Sequence, residues 1–173
     1  MDKPGFADFS CSIARTLDVV GEWWTLLVLR DLFAGIERFD EIQQDLGIAS
    51  NMLSARLKRL LEAGLAEREV AADDARARVY RLTGKGRELY PVVLSLMAWG
   101  DKWMALPGQQ PVLVVHTGCG QVTAAVPACS VCGEPLALDG LEFLAGPGGR
   151  EGPGTARMGR YLGRLVRRGE AGA

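Results

Sequence analysis

Four side chains in the second half of the chain could gather a metal ion. They are His116 and Cys119 in His-x-x-Cys-Gly, and Cys129 and Cys132 in Cys-x-x-Cys-Gly. A two-residue gap lets a pair of ligands meet one ion across a tight turn, and Gly120 and Gly133 relieve the backbone where each loop folds round it. Soft and borderline sulfur and nitrogen donors of this kind predict tetrahedral Zn2+. With four protein ligands no position stays open for water, so the expected role is structural, replacing a core that about 35 residues cannot bury alone. The alternatives are a surface His116 beside a three-cysteine site, or cysteines that pack as small apolar groups. Cys11 stands apart, near the start of the first expected helix, where the helix dipole favours a thiolate; a buried, inert thiol is the competing reading.

A third chemistry is hydrogen bonding to nucleic acid. At about 100° per residue, a helix over 51–63 puts Leu53, Leu57, Leu60 and Leu61 on one inward face. Asn51, Ser54, Ala55, Lys58 and Arg59 then face outward, with Arg56 at the border and Ser50 at the start. A major groove admits a helix, and these types bond base edges and phosphates while Ala allows close approach. Arg76 and Arg78 flank the tip of a following hairpin, placed to neutralise phosphate along the backbone or minor groove.

Periodicity supplies the elements that position these residues. Ser10 can cap a first helix in which Ile13, Leu17 and Val20 form one stripe, interrupted at Gly21. Residues 23–33 are apolar almost all round, which predicts a helix at the centre of a core, stopped at Gly35. A short helix over 39–46 ends at Gly47, and Ser50 can cap the next, which Gly64 ends. Two short helices joined by a Gly turn outline a helix-turn-helix. Residues 65–70 and 79–82 read as strands around an exposed tip at 71–77, a wing-like hairpin. Thr83 caps a long helix over 85–104 whose Leu89, Val92, Val93, Leu96, Trp99 and Trp103 form a stripe, and Pro91 should bend or weaken its early turns. The fold class is α+β, mainly α.

Residues 107–111 are the clearest linker, and short strand-like runs punctuated by Cys and Gly follow. Three domains are expected: 1–106 with the helix-turn-helix, 107–146 with the metal-ligating residues, and 147–173 as a linker and tail. In that tail Met158, Tyr161, Leu162, Leu165 and Val166 recur at helical spacing, opposed by Arg157, Arg160, Arg164, Arg167 and Arg168.

Composition narrows the function classes. The 173 residues are 48% hydrophobic and 24% charged, a globular balance in which no apolar run approaches the roughly 20 residues that cross a bilayer. A cytoplasmic protein is expected, without membrane partners. The formal charge of −1 conceals alternation: residues 1–49, 50–90, 91–149 and 150–173 carry −5, +3, −3 and +4. A single His, with no phosphate-cradling Gly loop, no open metal site and no nucleophile elbow, argues against an enzyme.

Cys11 to Met104 resembles the HxlR family of winged-helix transcriptional regulators, relatives of the MarR group. The resemblance lies in Cys11-Ser-Ile-Ala-Arg-Thr-Leu-Asp-Val-Val-Gly21, Trp24-Thr-Leu-Leu-Val-Leu-Arg-Asp31, Arg38-Phe-Asp-Glu-Ile42, Met52-Leu-Ser-Ala-Arg-Leu57 and Leu82-Thr-Gly-Lys-Gly-Arg-Glu-Leu89. It implies a homodimer built largely from the first and long helices, docking two recognition helices on an inverted repeat with half-sites about one helical turn apart. It also implies a sensor role for Cys11 toward oxidants or electrophiles, and a small-molecule effector is the other candidate signal. The four tryptophans, Trp23, Trp24, Trp99 and Trp103, read as core or dimer interface rather than as a ligand cavity. The Cys/His segment looks like a zinc ribbon. A competing function is a protein-interaction adaptor that uses the ribbon-like unit and no longer reads DNA.

Overall fold

A computed structural model of the chain describes residues 5–144, 146–150 and 152–157. The amphipathic tail expected at 158–166, with Arg160, Arg164, Arg167 and Arg168, lies outside the described residues. Two compact units divide the chain, one from its two ends (up to Thr25 and from Ala137 on) and one from Leu26–Leu136.

The end unit carries helix α1, Ser12–Val20. Ser10 does not cap it: Cys11 occupies the cap position without a side-chain bond, while the Ser10 hydroxyl donates to Gly148 O at 2.8 Å and accepts from Arg150 N at 3.2 Å. That hydroxyl meets backbone groups from 138 and 140 residues away, a competition that local sequence does not display.

Helix α2, Trp23–Phe33, is followed by α3, Phe39–Leu46, and α4, Ser50–Glu62. The antiparallel hairpin of β1, Ala66–Val70, and β2, Arg78–Leu82, comes next. The core is supplied by Val28, Leu29 and Leu32 from α2, Ile42 from α3, Leu53, Leu57 and Leu60 from α4, and Val79, Tyr80 and Leu82 from β2. Helix α2 is not buried all round as expected, since Trp23 is 88% and Leu27 38% exposed. Its apolar residues form two faces, and the fold covers one. Beneath the covered face Arg30 donates to the buried Asp31 at 2.6 Å and reaches Asp45 on α3 at 2.6 Å. Burial raises the Asp31 pKa even so, with the Arg30 hydrogen bond acting in the opposite direction.

The single helix expected over 85–104 is two: α5, Gly84–Arg87, and α6, Tyr90–Trp103. Pro91 lies in the first turn of α6, where its missing N–H costs nothing, so the chain restarts there instead of bending. No residue of α6 is buried, and Trp99 and Trp103 are 59% and 65% exposed. With Trp23 exposed as well, three of the four tryptophans are not core. After α6 come β3, Val114–His116, and β4, Gln121–Thr123, a second antiparallel hairpin, and a 3-10 turn at Leu138–Gly140. None of the described helices is long and apolar enough to cross a membrane.

Candidate nucleic-acid interface

Gly47, in the left-handed region at φ 60°, turns the chain from α3 into α4. The cap falls one residue earlier than expected, at the extended Ala49, because the turn finishes early and Ser50 already has helical geometry. Ser50 is therefore not a cap; it is exposed in the first turn, beside amides that have no partner within the helix. Leu53, Leu57 and Leu60 are essentially inaccessible, at 0%, 1% and 0% exposure, while Asn51, Ser54, Ala55, Lys58 and Arg59 are exposed. Arg56 is half-buried at the border, and so is Leu61, which its spacing places fully inward. Lys58 Nζ sits 3.7 Å from Glu62, an exposed pair one turn apart that a phosphate can displace at little cost.

The far end of α4 is fixed by the corner after the wing. Thr83 donates its hydroxyl to Gly64 O at 2.7 Å and accepts from Gly86 N at 3.1 Å, and Lys85 Nζ donates to Ala63 O at 2.7 Å. A cation on the last carbonyls complements the helix dipole. The corner closes so tightly that a Cβ on Gly86 would stand 2.0 Å from Leu65 O.

The wing is clamped from its other side by two residues just ahead of α3. Glu37 O accepts from Tyr80 N at 2.8 Å, Arg38 bridges Val79 in antiparallel fashion, and the Glu37 carboxylate meets Arg81 Nε at 3.1 Å. Arg81 also pairs with Glu69 across the hairpin. Arg38 Nη1 then reaches both oxygens of Asp73 at the tip, at 2.9 and 3.0 Å. That hydrogen bond is the main reason the Asp73 pKa is lowered and the Arg38 pKa raised. Both tip arginines are exposed; Arg78 also donates to Ala75 O and Ala77 O at 3.0 and 3.1 Å and stiffens the turn. Sequence reasoning missed Arg38 and Lys85 as parts of this surface; both lie in quoted motifs, but their partners are 35 and 22 residues away.

The Cys/His residues form two matched turns. Gly120 N donates to His116 O at 2.8 Å and Gly133 N to Cys129 O at 2.9 Å, each glycine at positive φ, 71° and 77°. His116 Nδ1 lies 3.4 Å from Cys119 Sγ. The amides of Cys132 and Val131, with the Cys132 thiol, hydrogen-bond to the Cys129 sulfur and hold its pKa below the ordinary thiol value. Among the described residues no three His, Cys, Asp or Glu side chains converge, so the four are brought together as two pairs rather than as one cluster. Cys11 is half-buried at the cap of α1.

A helix-turn-helix with an outward polar face, followed by a clamped hairpin, defines a winged-helix module. The HxlR-like helix-turn-helix family matches residues 19–107, and the chain belongs to that family. The uncharacterized HTH-type transcriptional regulator Rv3095 of Mycobacterium tuberculosis (strain ATCC 25618 / H37Rv) is 39% identical over 137 residues, 79% of this chain and 87% of that protein. The crystal structure of PA1607, a candidate transcription factor, superposes with a TM-score of 0.72 at 36% identity, covering 81% of this chain and 98% of that one. The redox regulator HypR in its oxidized form superposes with a TM-score of 0.50 at 32% identity, covering 56% of this chain and 100% of that one. The protein is accordingly a DNA-binding transcriptional regulator of the HxlR type, as its family and relatives are.

Proposed function

We propose that the protein acts in the cytoplasm as a homodimer on an inverted-repeat operator in double-stranded DNA, with α4 of each copy in a major groove. Asn51, Ser54 and Ala55 meet base edges; Ser50, Arg56, Lys58 and Arg59 meet phosphates; Arg76 and Arg78 follow the adjacent backbone or minor groove. The observation that carries this reading is the division of α4 into leucines at 0–1% exposure and an exposed polar face. Support for the dimer comes from apolar side chains exposed along α1 and α6, among them Ile13, Leu17, Leu96, Trp99 and Trp103.

The test is operator affinity measured against salt, with the operator selected from a random DNA pool. Replacing Lys58 and Arg59 by Ala should lower affinity and make the salt slope shallower by about one for each phosphate that is no longer neutralised. An unchanged slope would favour the adaptor reading, in which the ribbon-like unit recruits a protein partner.

The proposal extends to the segment 107–146, where Zn2+ held by His116, Cys119, Cys129 and Cys132 closes a small structural domain. The matched turns and the amides directed at Cys129 suit thiolate ligands, and the metal would draw the two pairs into one site. Freshly purified protein should carry one zinc per chain, and Cys129→Ser should lose it. The likeness to a redox regulator supports a thiol-reactive signal, with Cys11 as the position in this chain.

A further inference from the structure

Helix α6 has two apolar sides. At about 100° per residue, Val92, Leu96, Trp99 and Trp103 fall on one, and Leu94, Met97, Ala98 and Asp101 on the side directly opposite. The first side is the exposed stripe offered to a second copy. The second is half-buried and forms one wall of a groove of about 440 Å³. Val114, Val122 and Ala125 of the β3–β4 region form the other wall, with Gln110 and Thr123 at its edge. The volume lies within the range of small-molecule sites, roughly 300–1,000 Å³, and such sites combine apolar walls with a few orienting polar groups.

Among the described residues Asp101 is the sole charged one lining this groove. It lies half-buried on an otherwise aliphatic helix face and makes no ion pair among the described residues. A carboxylate in that setting is partly desolvated and gains from a cation, whereas it repels an anion and offers a neutral head group less. We propose that the groove between α6 and the β3–β4 hairpin binds a small amphipathic cation, its apolar body between the two walls and its ammonium head at Asp101. Helix α6 separates this groove from the stripe proposed for dimerisation, so occupancy alters how two copies meet. That consequence rests on the dimeric operator-binding reading; the binding itself does not.

Three probes sharing one phenylbutyl body isolate the head group: 4-phenylbutylamine, 4-phenylbutanol and 5-phenylpentanoate, titrated calorimetrically into the full-length protein at neutral pH. The amine should bind about tenfold tighter than the alcohol, as expected for one charge-assisted hydrogen bond, and the acid should not bind. Asp101→Asn should bring the amine to the affinity of the alcohol, and Ala98→Phe should remove both by filling the groove. Ala125→Phe fills it from the other wall if the helix variant does not fold. Equal binding of the three probes, no binding of any at millimolar concentration, or an amine affinity indifferent to these substitutions overturns the proposal. So does loss of the dimer in both filling variants, which would give the groove to a second copy. Amine binding without any effect on operator affinity overturns the coupling alone, and amine binding by a protein that holds no operator overturns the regulator reading while the groove stands.

Discussion

The two hairpins of the Leu26–Leu136 unit are held by different means. The wing buries Ala66 at the base of β1 and Val79, Tyr80 and Leu82 along β2, and side chains from ahead of α3 and from its own strands pair across it. The β3–β4 hairpin has three-residue strands without a buried residue, and Val115 and Val122 are 52% and 61% exposed. What shapes the chain around it is backbone: two turns closed by glycine amides over His116 and Cys129. A hairpin with a core beneath it needs no cross-link, whereas one without requires a partner, a metal or a ligand to be more than marginal.

Substitutions can break that contrast. Leu57→Ala opens a cavity under α4 and should cost about 3 kcal/mol in urea unfolding followed by circular dichroism, while Val122→Ala should stay within about 0.5 kcal/mol. Equal costs would mean that the second hairpin has a core after all. Gly86→Ala drives a Cβ against the Leu65 carbonyl and should cost about 2 kcal/mol; a neutral result would show that the corner yields.

Chelation of metal, or Cys129→Ser, should leave the main unfolding transition in place yet remove amide-exchange protection over 112–136, which sharpens the distinction between the hairpins. The smallest effect belongs to Asp73→Asn, which should weaken operator binding a few-fold and speed amide exchange at the wing tip. Arg38 depresses the folded Asp73 pKa below its unfolded value, so this pair's contribution is fully present above the ordinary carboxylate range and is lost as pH falls through the folded pKa. Wing protection in the parent should therefore decline only on the acid side of the ordinary carboxylate range, and the Asn variant should lack that decline.

Local periodicity made the two faces of α4 legible. The four-residue spacing of Leu53 and Leu57 marks the inward side of α4, and Tyr80 and Leu82, buried on either side of the exposed Arg81, mark a strand with one covered face. Thr83 is a cap, as its hydroxyl chemistry predicts. Contacts over long sequence distance were not legible: Arg38 with Asp73, Lys85 with Ala63, and Ser10 diverted from its helix to Gly148. Apolar content also misled. A fully apolar α2 reads as a core helix, yet Trp23 and Leu27 are exposed, because apolar type alone does not say which face its own chain covers.

The hydrogen bonds from Thr83 and Lys85 to the tail of α4 have a consequence for control. They weld α4, the helix proposed to enter the groove, to the root of the wing, giving a stylus with a fixed profile. In the proposed dimer two such styli would work as calipers do: a signal that changes the gap between the points would leave each point unchanged.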